Sequence, residues 1–124
     1  MGQATPFKPI ALVVEDDEIQ REMVAMLLEE SQMGVIQCES AEAALLVLDK
    51  MGGCISMMFA DVNLAGQING IELAHAARNR YPNIHVIVTS GTTHKMKLPE
   101  GAAFMQKPWL PLDVLREAQR SQHH

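Results

Sequence analysis

Four places in the chain hold side chains suited to chemistry. Glu15 and Asp16 stand together near the N-terminus with Asp17 behind them, and Asp61 stands in mid-chain. Thr89 and Ser90 are two adjacent hydroxyls, and Lys107 precedes Pro108. Carboxylates gathered at one spot repel one another unless a cation joins them. Hard oxygen donors at that density suit Mg²⁺, which takes few carboxylates and keeps some of its waters. A lysine beside them would offset the remaining negative charge. A hydroxyl would donate a hydrogen bond to an incoming oxyanion.

These residues matter only if the chain brings them together, and the pattern around them predicts that it does. Ile10 to Val14 is a continuous apolar run rich in β-branched residues, the signature of a strand buried on both faces. Ile19, Met23, Met26 and Leu27 recur after it at helical spacing, with an expected stop near Gly34. Val35 to Cys38 reads as a second strand. Ser40 is a candidate cap for a helix with Ala41, Ala44, Leu45 and Leu48 on one face, stopped by Gly52-Gly53. Ile55 to Ala60 is a third strand leading into Asp61, followed by a loop from Val62 to Asn69. Ile71, Ala74 and Ala77 mark a helix that ends before Pro82. Ile84 to Val88 and Ala102 to Met105 read as strands, and Pro111 to Gln119 as a last helix with proline in its first turn. Alternating strands and helices imply a parallel sheet covered on both faces. In such a sheet ligands bind beyond the carboxyl ends of the strands. Those ends are where Glu15-Asp16, Asp61, Thr89-Ser90 and Lys107 fall.

Leu12-Val13-Val14-Glu15-Asp16-Asp17, Asp61-Val62-Asn63-Leu64-Ala65-Gly66, Asn69-Gly70-Ile71-Glu72-Leu73, Val88-Thr89-Ser90-Gly91 and Lys107-Pro108 occur in that order. The set resembles the receiver domain of bacterial response regulators, from about Ala11 to Gln119. The resemblance implies a flavodoxin-like, doubly wound α/β fold, a five-stranded parallel sheet of order 2-1-3-4-5. It also implies roles. Asp61 would be the phosphoacceptor, a carboxylate nucleophile attacking the phosphorus of a phosphohistidine. Asp16, Asp61 and the backbone carbonyl of Asn63 would ligate Mg²⁺, with Glu15 assisting directly or through water. Lys107 would neutralise charge on the phosphoryl group. Ser90 would hydrogen-bond a phosphoryl oxygen. Phe104 would be the aromatic whose rotamer follows the switch to a partner-binding surface. The implied partner is a histidine kinase or histidine phosphotransferase. Thr89 is the alternative hydroxyl: strand side chains alternate, so only one of the pair faces the site. Counting from His85, at the family's usual proline position, favours Ser90.

The chain departs from the family pattern between Ser90 and Lys107, where it is short and carries Pro99 and Gly101. A fourth helix between Thr92 and Leu98 is expected to be short, frayed or missing. Ala65 replaces the usual proline, and Trp109 replaces the usual phenylalanine. Two other functions stay open at this point. One is a degenerate receiver used only for docking. The other is a Mg²⁺-dependent phosphohydrolase with an aspartyl-phosphate intermediate, disfavoured because its acid–base residue would have to be Asn63.

Length and composition set the remaining bounds. The 124 residues fit one domain, residues 1–124 with a core of about 10–120. Apolar residues are 48% and the net charge is −5, with the basic residues scattered, so neither direct nucleic-acid binding nor a membrane-surface patch is expected. Met1 to Pro9 lacks the apolar centre of a signal peptide, and no apolar run is long enough to cross a bilayer, so the expected location is the cytoplasm. Cys38 and Cys54, neither in a CxxC pair, read as two reduced core thiols. The methionines at helical spacing read as core filler, and His75 and His94 as surface residues. The expected whole is a monomeric or weakly dimeric signalling module rather than an enzyme.

Overall fold

The computed structural model describes residues 8–92 and 97–122. Five parallel strands form one sheet of order β2-β1-β3-β4-β5: β1 Ile10–Val14, β2 Gly34–Cys38, β3 Ile55–Asp61, β4 His85–Ser90 and β5 Ala103–Gln106. The helices are α1 Glu18–Glu30, α2 Ala41–Met51, α3 Gly70–Arg80 and the C-terminal α4 Pro111–Gln122. This is the doubly wound architecture the alternating pattern predicts.

The strands alternate faces with a period of two, and each face has its own core. Leu12, Val14, Met58, Ala60, Val86 and Val88 pack against α2 and α3. Ala11, Val13, Met57, Phe59 and Ile87 pack against α1 and α4. The central strands β1, β3 and β4 are covered on both sides, which is why they read as unbroken apolar runs rather than alternating ones.

Local chemistry fixes the element ends. Asp17 caps α1, accepting from Gln20 N at 3.0 Å, and Ser40 caps α2, accepting from Ala43 N at 3.1 Å. Asn69 and Glu72 form a reciprocal capping box on α3. Gly52 ends α2 in a short 3₁₀ turn, Gly52–Cys54.

Several sequence expectations are corrected. Helix α1 ends at Glu30, not at Gly34: Gln32 takes a left-handed conformation (φ 69°) and Gly34 already opens β2. Its buried face is Arg21, Val24, Ala25 and Leu28, whereas Ile19, Met23 and Met26 are exposed. The reason is that Arg21, a polar residue, belongs to the inward stripe. Its guanidinium donates to the Glu15 carbonyl at 3.0 Å and to Gln37 Oε1 at 3.1 Å, which sets the helix rotation. Met33, Met57 and Met58 are core residues, but Met23 and Met26 are not. Cys38 is buried, while Cys54 is exposed in the turn after α2 and so is not a core thiol. Strand β4 runs through Thr89 and Ser90, and α4 is one turn longer than expected.

The fourth helix expected between Thr92 and Leu98 falls largely on residues 93–96, outside the described residues. From Lys97 to Gly101 the chain is not helical and is strapped to α3 by side chains. His75 Nε2 lies 2.7 Å from the Lys97 carbonyl, and Arg78 Nη1 donates to the Glu100 carbonyl at 2.5 Å.

Candidate functional site

Asp61 is the last residue of β3, the central strand, and is only 5% exposed. Its chain neighbours hold it from both sides. Val62 N donates to the Thr89 carbonyl at 2.9 Å, so the β3–β4 ladder continues past the carboxylate. Gly70 N donates to the Val62 carbonyl at 2.9 Å, bringing α3 up behind the strand end. A side chain at Gly70 would put its Cβ 2.0 Å from the Asp61 carbonyl oxygen, so only glycine fits there.

Both oxygens of the Asp61 carboxylate accept hydrogen bonds. Oδ1 accepts from Asn63 N at 2.8 Å, and Oδ2 accepts from Lys107 Nζ at 2.5 Å. Lys107 comes from the end of β5, and its own N–H donates to the Ser90 carbonyl at 2.8 Å. Its ammonium group also donates to Gln20 Oε1 at 2.7 Å and Glu15 Oε1 at 3.3 Å. Burial alone would lower the Lys107 pKa. The hydrogen bond to Asp61 and the charges of Glu15 and Asp61 outweigh it and push the value up, so the lysine is firmly cationic.

Glu15 follows β1 and is 6% exposed. Burial pushes its pKa up to about 7; the hydrogen bond from Asp17 N works against this, and Asp61 and Asp16 reinforce it. Asp16 is exposed at the mouth of the site, next to Glu15.

The two hydroxyls take different paths. Thr89 is level with Asp61 in the β3–β4 ladder, and its Oγ1 donates to the Met105 carbonyl at 2.7 Å, sideways into β5. Ser90 is one residue further on, fully buried, with Oγ accepting from Thr92 N at 3.2 Å. Phe104 lies on β5 and is 40% exposed. Beside Lys107 opens a groove of about 420 Å³ lined by Gln20, Met23, Pro108 and Trp109. Trp109 stands edge-on to Phe59 at 5.9 Å, anchoring the β5–α4 connection to the core.

Thus Glu15, Asp61 and Lys107 come together, with Asp16 and Asn63 adjoining. Sequence reasoning missed Gln20 and Arg21. Both are polar residues in the first turns of a helix, and only their three-dimensional partners distinguish them from solvated ones. Among the described residues, no three acidic, histidine or cysteine side chains form a ready-made metal cage. What exists is a pair of buried carboxylates sharing one ammonium, with a third carboxylate and the main chain of Asn63 beside them. That donor set fits Mg²⁺, which is held by one or two carboxylates, waters and substrate oxygens rather than by an all-protein cage.

Comparison with known proteins identifies the family. The family model for the response regulator receiver domain matches residues 11–114. The chain is 39% identical over 107 residues to the transcriptional regulatory protein FixJ of Azorhizobium caulinodans, covering 78% of this chain and 47% of that protein. It is 28% identical over 118 residues to a putative two-component response regulator of Arabidopsis thaliana, covering 93% of this chain and 19% of that one. The chain thus spans less than half the length of these relatives. Among solved structures, a response regulator receiver protein from Sinorhizobium medicae superposes with a TM-score of 0.83 at 19% identity, covering 92% of this chain and 94% of that one. The receiver domain of the hybrid histidine kinase CckA gives 0.79 at 26% identity, covering 90% and 97%. With five parallel strands in the order 2-1-3-4-5 and a family match over most of its length, this chain belongs to the response regulator receiver domains of two-component systems.

Proposed function

We propose that the chain accepts a phosphoryl group on Asp61 in a Mg²⁺-dependent transfer from a histidine kinase or histidine phosphotransferase, and that the modified site switches a partner-binding surface. The observation that carries this reading is the contact between Lys107 Nζ and Asp61 Oδ2, a buried nucleophile facing a fixed cation.

The chemistry follows from the placement. An Asp61 oxygen attacks phosphorus, the new O–P bond forms as the phosphohistidine N–P bond breaks, and the departing imidazole takes up a proton. Asn63 N holds Oδ1, which fixes the carboxylate plane. Lys107 is placed to pass from Oδ2 to a phosphoryl oxygen, following the negative charge as it moves. Asp16, Asp61 and the Asn63 carbonyl would hold Mg²⁺, with Glu15 directly or through water. When bound, the ion supplies the positive charge that lets an anionic donor approach three carboxylates. Ser90, the last residue of β4, would bind a phosphoryl oxygen. Thr89 is already committed to β5. Phe104, half out in solvent, would report the change of state at the β5 surface.

Intact mass after incubation with acetyl phosphate, with and without Mg²⁺, tests this for wild type and Asp61→Asn. The expected result is a Mg²⁺-dependent gain of one phosphoryl group that the variant lacks. No gain with either acetyl phosphate or a phosphorylated histidine phosphotransferase would overturn the reading in favour of a docking module.

A further inference from the structure

Lys107 is served by three acceptors, and one of them, Gln20, has no part in the reaction outlined above. We infer that Gln20 is a positioning residue for phosphoryl transfer, holding the Lys107 ammonium over Asp61 by a hydrogen bond from Nζ to its side-chain carbonyl. The inference rests on Asp61 being the phosphoacceptor.

An ammonium has three N–H donors, and here Asp61 Oδ2 (2.5 Å), Gln20 Oε1 (2.7 Å) and Glu15 Oε1 (3.3 Å) take them. Lysine is a point charge on a flexible stem of four carbons, so its location is set by its acceptors. When phosphorus arrives, Lys107 must leave the Asp61 carboxylate for a phosphoryl oxygen. Were Glu15 its only other partner, the strongest remaining pull would draw the ammonium towards β1 and away from phosphorus. Gln20 supplies a nearer acceptor without adding a fourth negative charge to a site that already holds Glu15, Asp16 and Asp61.

Gln20 is well placed for such a role because its own backbone is fixed. Its N–H donates to the Asp17 cap at 3.0 Å, and Asp17 N in turn donates to Glu15 Oε2 at 3.1 Å. The neighbouring Arg21 ties the same turn to the Glu15 carbonyl. The half-buried Gln20 side chain lines the groove together with Met23, Lys107, Pro108 and Trp109. The contact also ties the start of α1 to the end of β5, elements 87 residues apart in sequence.

The test combines two readouts. The first is the rate of phosphoryl gain from acetyl phosphate and Mg²⁺ in wild type, Gln20→Met, Lys107→Met and the double variant. The second is hydrogen exchange of the Lys107 ammonium, followed by ¹⁵N NMR in the Mg²⁺-free protein, for wild type, Gln20→Met and Gln20→Glu. Gln20→Met is expected to slow phosphorylation about tenfold, the fold-change one charge-assisted hydrogen bond carries. The same change should add nothing in the Lys107→Met background. Ammonium exchange should accelerate in Gln20→Met and stay slow in Gln20→Glu, which keeps an acceptor oxygen. A Gln20→Met protein that phosphorylates at the wild-type rate overturns the inference. So does an equal loss in both backgrounds, which would mean that Gln20 acts otherwise than through Lys107. Where the Lys107→Met rate is too slow to compare, ammonium exchange decides: no acceleration in Gln20→Met ends the proposal. Wild type failing to gain a phosphoryl group from any donor would instead remove the acceptor reading itself, and the inference with it.

Discussion

Gly70, the first residue of α3, lies directly behind Asp61: a Cβ there would fall 2.0 Å from the Asp61 carbonyl oxygen and 2.9 Å from Val62 Cα. Both atoms are backbone, so no side chain can swing aside to make room. Gly70→Ala must push α3 away from the end of β3. The expected cost is about 2 kcal/mol or more, in the range of overpacked cores, read as a lower urea midpoint. Because the shift acts on the residue bearing the nucleophile, phosphorylation by acetyl phosphate should slow as well. Unchanged stability would mean that the helix relaxes without cost.

Lys107→Met should behave differently from Asp61→Asn in the Mg²⁺-free protein. Removing the ammonium leaves two buried carboxylates facing each other, and breaking a buried pair from one side costs roughly 3–5 kcal/mol. Asp61→Asn removes one of the repelling charges and keeps an acceptor for Lys107, so it should cost little. Denaturation at pH 7 of both variants checks the ordering.

Glu15 gives the Mg²⁺-free protein a pH dependence of known sign. Its folded pKa of about 7 lies above the ordinary value of 4.5. Between those limits the folded chain holds a proton that the unfolded chain has lost, so stability falls as pH rises through the window. Glu15→Gln should flatten that fall, so its stability should gain on wild type from pH 4.5 to 7. Equal slopes for the two proteins, measured by urea denaturation at each pH, would refute the assignment.

The two hydroxyls should separate in function. Thr89→Val strips the Met105 carbonyl of a hydrogen bond and is expected to cost about 1 kcal/mol of stability while leaving phosphoryl transfer near wild type. Ser90→Ala should change phosphorylation rate or phosphoryl lifetime several-fold. The reverse pattern, read by intact mass over time, would make Thr89 the hydroxyl that binds phosphoryl.

The sheet and its acidic edge were legible because strands covered on both faces are strongly apolar, and the carboxylates stand where the apolar runs of β1 and β3 stop. Ile10 to Val14 ends in Glu15, and the run from Ile55 ends in Asp61. The sequence was less informative where a polar residue turns inward. Arg21 belongs to the buried stripe of α1, so the helical spacing of apolar residues picked out Ile19, Met23 and Met26, which face solvent, beside Leu27, which packs on the core. Gln20 gave no signal because its acceptor role depends on Lys107, which reaches it from the far end of the chain. Cys54 lies between Gly53 and the apolar run from Ile55, and the turn that exposes it is set by the packing of Gly52 against Tyr81. The strap of His75 and Arg78 on residues 97–101 is a contact of side chains with main-chain carbonyls, which no periodicity encodes.

The main-chain bonds from Val62 to Thr89 and from Lys107 to Ser90 bear on how such a site tolerates change. They place Asp61, Ser90 and Lys107 at the ends of three neighbouring strands, so the distances between them follow the spacing of the sheet. Core residues can be exchanged for others of similar volume without retuning the chemistry. A slip of one residue in a single strand would turn its functional group to the opposite face and silence the site outright. A change in the length or alignment of β3, β4 or β5 would therefore disturb the site more than an exchange of core residues of similar volume.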